Sequence, residues 1–455
     1  MGVVNRVKEA KIGVGLLGCG TVGSEVAHLL KRDQADLSAR AGASLELVKV
    51  GVKDAGKERA GIDKVLITAD LASIVTDPSI SIVIEVMGGI EPARTLILQA
   101  LAAKKSVVTA NKALLAKHGA EIFAAAKANG VDLYYEAAVG GAIPIVRPLR
   151  ESIVGDSVTR VMGIVNGTTN YILTKMDEEG AAYHDVLKEA QRLGYAEADP
   201  TADVEGHDAA AKIAILASLA FHTQVSIDDV HAEGIARLDK RDIEIAQAID
   251  HVIKLLAIAE VNEDANGKQQ VSVRVHPTLI PRHHPLASVR NAFNAVFVEA
   301  KSAGELMFYG RGAGGAPTAS AILGDLVAIA RHISFGGVGS RESDYAALEI
   351  ASIDEIKTRY LIRLDVADRP GVLAGVAQTF AAHGVSIQTV RQSGRGDDAE
   401  LVIMTHTATD KNLATTVKDL AGQEIVKRVE SVLRVEGNEV ESNEVEGHES
   451  EGSRA

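Results

Sequence analysis

Tryptophan is absent from this 455-residue chain, aromatic residues make up only 3% of it, and Cys19 is its one cysteine. Cores must therefore be built from Ala, Val, Leu and Ile, which suits parallel sheets covered by helices. A single cysteine allows no intrachain disulfide and points to a reducing compartment. Uncharged apolar runs long enough to span a bilayer are also missing. The opening residues, MGVVNRVKEAKIGVGLLG, lack the basic head, apolar core and small-residue cleavage site of a signal peptide. There is no basic excess either. The net charge is −13, and the segment from Glu436 to Ala455 alone holds seven Glu and one Arg. The rest is mildly acidic, which argues against a nucleic-acid surface. The expectation is a cytoplasmic protein with neither a nucleic-acid nor a membrane partner.

What is present is a 46% apolar composition over a length sufficient for two or three folded domains. Lys11 to Leu17 (KIGVGLL) reads as a buried strand that runs into Gly18-Cys19-Gly20-Thr21-Val22-Gly23 and then into the helical SEVAHLLKR. Strand, G-x-G-x-x-G, helix is the dinucleotide-binding arrangement. The first glycine makes the turn, the second lets backbone approach a pyrophosphate, and the third lets helix and strand pack closely. A second strand, Leu45 to Val52, ends in Lys53-Asp54, with Lys57 close behind. An acid at that point favours the free ribose hydroxyl of NAD and a cation the phosphate of NADP, so both cofactors stay open. Ser81 to Val86, the SVVT segment and Asp132 to Ala138 read as further strands. Lys112 falls at the carboxyl end of one of them, where open α/β sheets place their ligands. The plainer alternative is that Asn111-Lys112 only caps the next helix.

Beyond residue 138 the pattern changes. Strands are expected at Ser157 to Val165, Val271 to Val275 and Ala295 to Lys301, with helices at Asp185 to Leu193 and Ile243 to Glu260. Asn166 to Asn170 reads as a polar turn starting a helix. These features describe an α+β domain over 139–310. A glycine-rich stretch, Tyr309 to Thr318, leads into an apolar helix expected to pack back on the first domain over 311–340. From residue 357 to 436 the order strand, helix, strand, strand, helix, strand is ferredoxin-like. Residues 437–455 read as a disordered acidic tail.

The stretch from Gly194 to Phe221 carries the densest chemistry. Glu197, Asp199, Asp203, Glu205 and Asp208 precede an Ala/Ile/Leu helix interrupted by Lys212. Asp208 and Lys212 are four apart and share a helix face. Burial penalises a lysine's charge and a carboxylate one turn away stabilises it, so the two effects oppose each other. The alternatives are a surface ion pair and a functional pair; the acids likewise read either as a solvated loop or as a cradle. His207 reads as a capping or structural residue.

GLLGCGTVG, EVMGGIEPA, VVTANKALLA, GTTNYIL, LGYAEADPTADVEGHDAAAK and GAGGAPTASA, in this order, resemble homoserine dehydrogenase. DRPGVLA is similar to the ligand-binding turn of ACT domains, and the resemblance runs to about Val435. It implies a Rossmann domain, an α+β catalytic and dimerisation domain, and a ferredoxin-like βαββαβ ACT domain. It also implies interconversion of L-homoserine and L-aspartate 4-semialdehyde with NAD or NADP, at a branch point towards threonine, methionine and isoleucine. Lys212 would then be the acid/base, with Glu197, Asp208 and Lys112 on the substrate. Gly18, Gly20, Thr21, Val22, Gly23, Lys53, Lys112, Gly194 and Gly315 would meet the cofactor. Carbonyls of Glu136, Val139, Gly141 and Ile143 would hold a sodium ion. An amino-acid effector, threonine first, and a homodimer or homotetramer complete the expectation. The rivals are an amino-acid-sensing binding protein with a remnant dehydrogenase, and a related reductase of another amino aldehyde.

Overall fold

The structure, a computed structural model, describes residues 11–264, 266–394 and 399–437. The expectations for residues 1–10 and for the acidic tail from 438 onward lie outside the described residues.

The first domain is a six-stranded parallel sheet. Its strands are β1 (Lys11–Leu17), β2 (Ser44–Gly51), β3 (Ile67–Thr68), β4 (Ile80–Glu85), β5 (Ser106–Thr109) and β6 (Leu133–Tyr134), in the order β3-β2-β1-β4-β5-β6. The short, continuous apolar runs form strands because helices cover both faces; β1 is buried from its second residue onward. The helices are α1 (Thr21–Arg32), α2 (Gln34–Ala41), α3 (Ala72–Thr76), α4 (Ala93–Ala102) and α5 (Lys112–Asn129). Strand order reverses between β1 and β4, which opens a crevice at their carboxyl ends. The last strand is shorter than Asp132 to Ala138. After Tyr134 the chain turns into a 3-10 turn at Glu136–Ala138. There the Glu136 carboxylate accepts the N–H groups of Ile145, Val146 and Arg147 at 2.6–2.9 Å, and the Glu136 N–H donates to Asp325.

The middle domain contributes β7 (Val158–Ile164), α6 (Gly167–Glu179), α7 (Tyr183–Arg192), α8 (Thr201–Val204), α9 (His207–Ala220), β8 (His231–Ala232), α10 (Lys240–Ala248), β9 (His251–Glu263), β10 (Gln269–Pro281), β11 (Phe293–Ala300) and β12 (Gly304–Arg311). Its strands run antiparallel in the order β12-β11-β7-β9-β10. The expected helix from Ile243 to Glu260 is corrected to α10 followed by β9. A capping box between Asp239 and Asp242 starts α10, and Asp250, with φ 58°, ends it. The run HVIKLLAIAE then pairs residue for residue with β10 and is buried on both faces. A continuous apolar run of that kind has no periodicity to separate strand from helix. The expected strands at Val271 to Val275 and Ala295 to Lys301 are the cores of β10 and β11. Next, α11 (Gly315–Phe335) packs against α1 and α2 in the core of the first domain, through Ala319, Ile322, Leu326 and Ile329.

The C-terminal unit consists of β13 (Glu349–Ile350), β14 (Lys357–Val366), α12 (Val372–Ala382), β15 (Ile387–Ser393), β16 (Ala399–Thr405), β17 (Ala408–Thr409), α13 (Asp410–Ala421) and β18 (Val426–Val435). Its antiparallel order β18-β14-β16-β15 is ferredoxin-like, with a core of its own around Ile362, Phe380 and Ile403. Thr278 and Leu279 of β10 pair with Arg434 and Val435, so this sheet continues the middle one. Arg434 locks the junction: it donates to Asp410 at 2.9 Å and to Glu233 at 2.8 Å. No helix among the described residues is long and apolar enough to cross a membrane.

Candidate functional site

Gly206, with φ 82°, caps the start of α9. The helix that follows is buried all round, which is why its sequence shows little amphipathic pattern. Lys212 and Asp208 are therefore inside the molecule, 7% and 9% exposed, and the surface ion-pair alternative falls. The Lys212 ammonium donates to the Val165 carbonyl at 2.6 Å, just past the end of β7, and to Asp208 Oδ2 at 2.7 Å. From the other domain, Lys112 Nζ lies 2.5 Å from Asp208 Oδ1. Asn111 does cap α5, through Leu114 N–H at 3.2 Å, and that cap fixes the direction in which Lys112 leaves the first turn. Burial pushes the Asp208 carboxyl up, but the ammonium groups of Lys212 and Lys112 outweigh it and hold the carboxyl well below the usual carboxylate range.

Three further side chains complete the cluster. Asn166 Nδ2 donates to Asp208 Oδ2 at 2.9 Å and to Asp203 Oδ1 at 2.7 Å. Thr168 Oγ1 donates to Tyr195 O at 2.6 Å and reaches Asp203 Oδ2 at 3.1 Å. In the sequence, residues 166–170 read as a polar turn starting a helix, with no part in the site, and Asp203 stayed undecided. The available signal was the Asn166 N-cap, whose Oδ1 accepts Thr169 N–H at 2.9 Å. Asp199 Oδ1 accepts from the Thr201 N–H at 3.1 Å and the Thr201 hydroxyl at 2.6 Å, just before α8. Glu197 is exposed on the same loop, where the bonds from Gln191 go to the Glu197 and Ala198 carbonyls. His207 is exposed in the first turn of α9.

The glycine-rich turn forms a cradle at the carboxyl end of β1. Gly18 has φ 100°, and a Cβ there would lie 2.8 Å from the Val86 carbonyl. A Cβ on Gly23 would lie 2.2 Å from Gly18 O, whereas one on Gly20 would meet nothing within 4 Å. The turn thus leaves its open space at Gly20. Thr21 and Val22 start α1, whose first turn holds no acid, so its positive end is free for an anion. Gly315 starts α11 beside it; a Cβ there would lie 3.2 Å from Thr21 Cγ2. Gly194 (φ 78°) stands on the exposed loop after α7, with open space on its Cβ side. Beneath the cradle, buried Glu85 accepts from Met87 N–H at 2.8 Å and from the Thr109 hydroxyl at 2.7 Å, tying β4 to β5. Past the end of β2, Lys53 and Lys57 are exposed, and Asp54 Oδ1 accepts Gly56 N–H at 2.8 Å. Arg59, which no sequence motif singles out, donates to the Asp54 and Lys57 carbonyls at 3.0 and 2.8 Å.

Glu136, Val139, Gly141 and Ile143 are all buried on one turn in which Gly140 and Gly141 have φ 74° and 57°. The Glu136 carboxylate is taken up by three amides, which leaves its carbonyl as the donor. Among the described residues no group of three or more His, Cys, Asp or Glu side chains could hold a metal ion. Backbone oxygens alone suit a hard cation and not a transition metal.

The homoserine dehydrogenase family pattern matches residues 144–327, the pattern of its NAD-binding domain matches 18–136, and the ACT domain pattern matches 360–424. Homoserine dehydrogenase of Corynebacterium glutamicum is 55% identical over 425 residues, 93% of this chain and 96% of that protein. The crystal structure of a homoserine dehydrogenase from Thiobacillus denitrificans superposes with a TM-score of 0.89 at 40% identity, over 94% of this chain and 99% of that one. A hyperthermophilic archaeal homoserine dehydrogenase solved in complex with NADPH matches 73% of this chain and 100% of its own, with a TM-score of 0.59 at 25% identity.

Proposed function

The chain belongs to the homoserine dehydrogenase family, as an NAD(P)-dependent oxidoreductase acting on a CH–OH group, and we propose how its residues divide that work. The observation that carries the proposal is the position of Asp208 between two lysines from two domains. When bound, the nicotinamide supplies the hydride for L-aspartate 4-semialdehyde or takes it from L-homoserine. Lys212 gives the aldehyde oxygen its proton and takes it back in the reverse direction. Its ammonium has three N–H donors, of which Val165 O and Asp208 occupy two and leave a third for substrate. Asp208, with Glu197 on the exposed rim of the loop, meets the substrate's ammonium; clustered carboxylates suit that charge. Lys112 balances Asp208 before substrate arrives and sits at the nicotinamide end.

The cofactor contacts are assigned to Gly18, Gly20, Thr21, Val22, Gly23, Gly194 and Gly315. NADP is the preferred form, because Lys53 and Lys57 present free cations while Asp54 spends a carboxylate oxygen on its own turn. The archaeal relative with NADPH is consistent with that choice. A sodium ion is assigned to the carbonyls of Glu136, Val139, Gly141 and Ile143. Following nicotinamide absorbance with L-homoserine, for the wild type and for Lys212→Ala, tests the central assignment. Wild-type turnover in that variant would remove Lys212 from the mechanism.

Regulation is assigned to the ACT unit, with threonine as effector, in a homodimer or homotetramer. Strand β15 supports the assembly, being an exposed sheet edge with Val390 38% exposed. A threonine titration that changes neither turnover nor substrate affinity would sink the regulatory part. The domain division at 138, 310 and 357 and a cytoplasmic setting belong to the same reading.

A further inference from the structure

A cavity of about 450 Å³ opens between α5 and α9, away from the reacting groups. Leu115, Ala116 and Gly119 line it from α5, and Ile215 and Leu219 from α9. These residues follow Lys112 and Lys212 at steps of three, four and seven. The cavity therefore lies one to two turns beyond the lysines, on α9 along the stripe of Lys212 and on α5 on both sides of its kink at His118. Its floor is apolar, with the Phe123 and Tyr135 rings 5.5 Å apart.

Its roof is residues 340–344, within the irregular segment 339–346 that leads towards the ACT unit. Polar contacts stitch it down: Gly339 N–H to Asp132 at 2.7 Å, Arg150 to Glu342 at 2.9 Å, and Gln224 to Asp344 at 2.8 Å. His222 Nδ1 lies 2.7 Å from Ser343 Oγ, and its ring stacks on Tyr345 at 4.8 Å. Both His222 and Ala347 hold left-handed backbone, φ 49° and 41°, which costs a non-glycine residue free energy and marks a constrained closure.

The charges at the rim are unequally committed. Asp132, Glu342 and Asp344 are held by the partners just named, and Asp229 accepts from Ser226 in its own turn. Lys117, Lys127 and Arg341 are exposed and form no ion pair among the described residues. An apolar floor under free cations selects an anionic head on an apolar body.

We propose that this cavity is a second small-molecule site, for a small carboxylate with an apolar body, distinct from the substrate and cofactor sites. An occupant there sits between the two helices that carry Lys112 and Lys212.

The test is titration calorimetry on the full chain with 4-phenylbutanoate, 4-phenylbutan-1-ol and 4-phenylbutylamine, which share one body and differ in the head. The carboxylate is expected to saturate at one per chain and to bind about tenfold or more tighter than the other two. Ala124→Trp, on the exposed side of α5, is expected to abolish binding by filling the cavity, and Lys127→Glu to weaken it about tenfold. Both variants should keep wild-type cofactor binding. Equal affinity for the alcohol, no saturable binding at millimolar carboxylate, or binding that survives both substitutions overturns the proposal. The comparison of the three heads decides it without any variant.

Discussion

Lys112 Nζ lies 2.5 Å from Asp208 Oδ1, although one residue opens a helix of the cofactor domain and the other a helix of the catalytic domain. The contact closes the two domains over a single carboxylate, whose second oxygen holds Lys212 at 2.7 Å. The pair of residues four apart in sequence is thus one side of a bridge, not an isolated ion pair.

Replacing Lys212 by Ala should lower turnover by about two to four orders of magnitude while nucleotide binding is retained. Asp208→Asn should cost a comparable factor in kcat/KM and also destabilise the fold, by about 3 kcal/mol, since two cations lose their shared partner. Steady-state assays alongside chemical denaturation separate the two effects.

Lys254 offers a pH test. It is buried in β9, donates to Asn170 Oδ1 at 3.0 Å and to Val289 O at 2.6 Å, and burial pushes its ammonium down to about 8. Between about pH 8 and 10 the unfolded chain carries a proton that the folded chain has lost, so stability should rise with pH across that window. Below it the penalty is fully present, on the order of 3 kcal/mol. Denaturation midpoints at pH 7.5 and 10 should show the rise in the wild type and not in Lys254→Met. A rise of equal size in both would assign it elsewhere.

The glycines of the cradle should separate by cause. Gly23→Ala drives a Cβ to 2.2 Å from Gly18 O and should lower stability by about 1–3 kcal/mol. Gly20→Ala meets no protein atom within 4 Å, so its stability should stay within about 1 kcal/mol of wild type. Cofactor affinity should nevertheless fall about tenfold or more. Thermal unfolding and a cofactor titration on both variants check this; an unchanged affinity in Gly20→Ala would place the pyrophosphate elsewhere.

The ribose end predicts selectivity. Lys53→Ala combined with Lys57→Ala should raise KM for NADP about tenfold and leave KM for NAD within a factor of two. Loss of affinity for both cofactors alike would show that these lysines support the loop and do not read the phosphate.

Much of this was legible in the chain itself. G-x-G-x-x-G between a β-branched run and a helix has one physical use for each glycine, and the structure places Gly18 and Gly23 in close contact as that use requires. The βαββαβ order of the last domain followed from alternating strands and clear turns. Sequence failed where burial removes periodicity. The 251–263 run is apolar on both faces, and only pairing with β10 makes it a strand. The strand expected at 132–138 broke off because the Glu136 carboxylate found three amides a turn away.

By itself, then, the sequence determined the element types with a strong local signal, the glycine-rich turn, and the placing of Asp208 and Lys212 on one helix face. Those signals are local, set by backbone conformation and residue spacing. Only the tertiary structure decided what Asp208 does. Lys212 comes from its own helix one turn on, but Lys112 and Asn166 arrive from α5 and from the cap of α6, and Asp203 enters through Asn166. A charge's preferred partner depends on distance and burial, and neither is written in sequence spacing once the partners lie tens of residues apart.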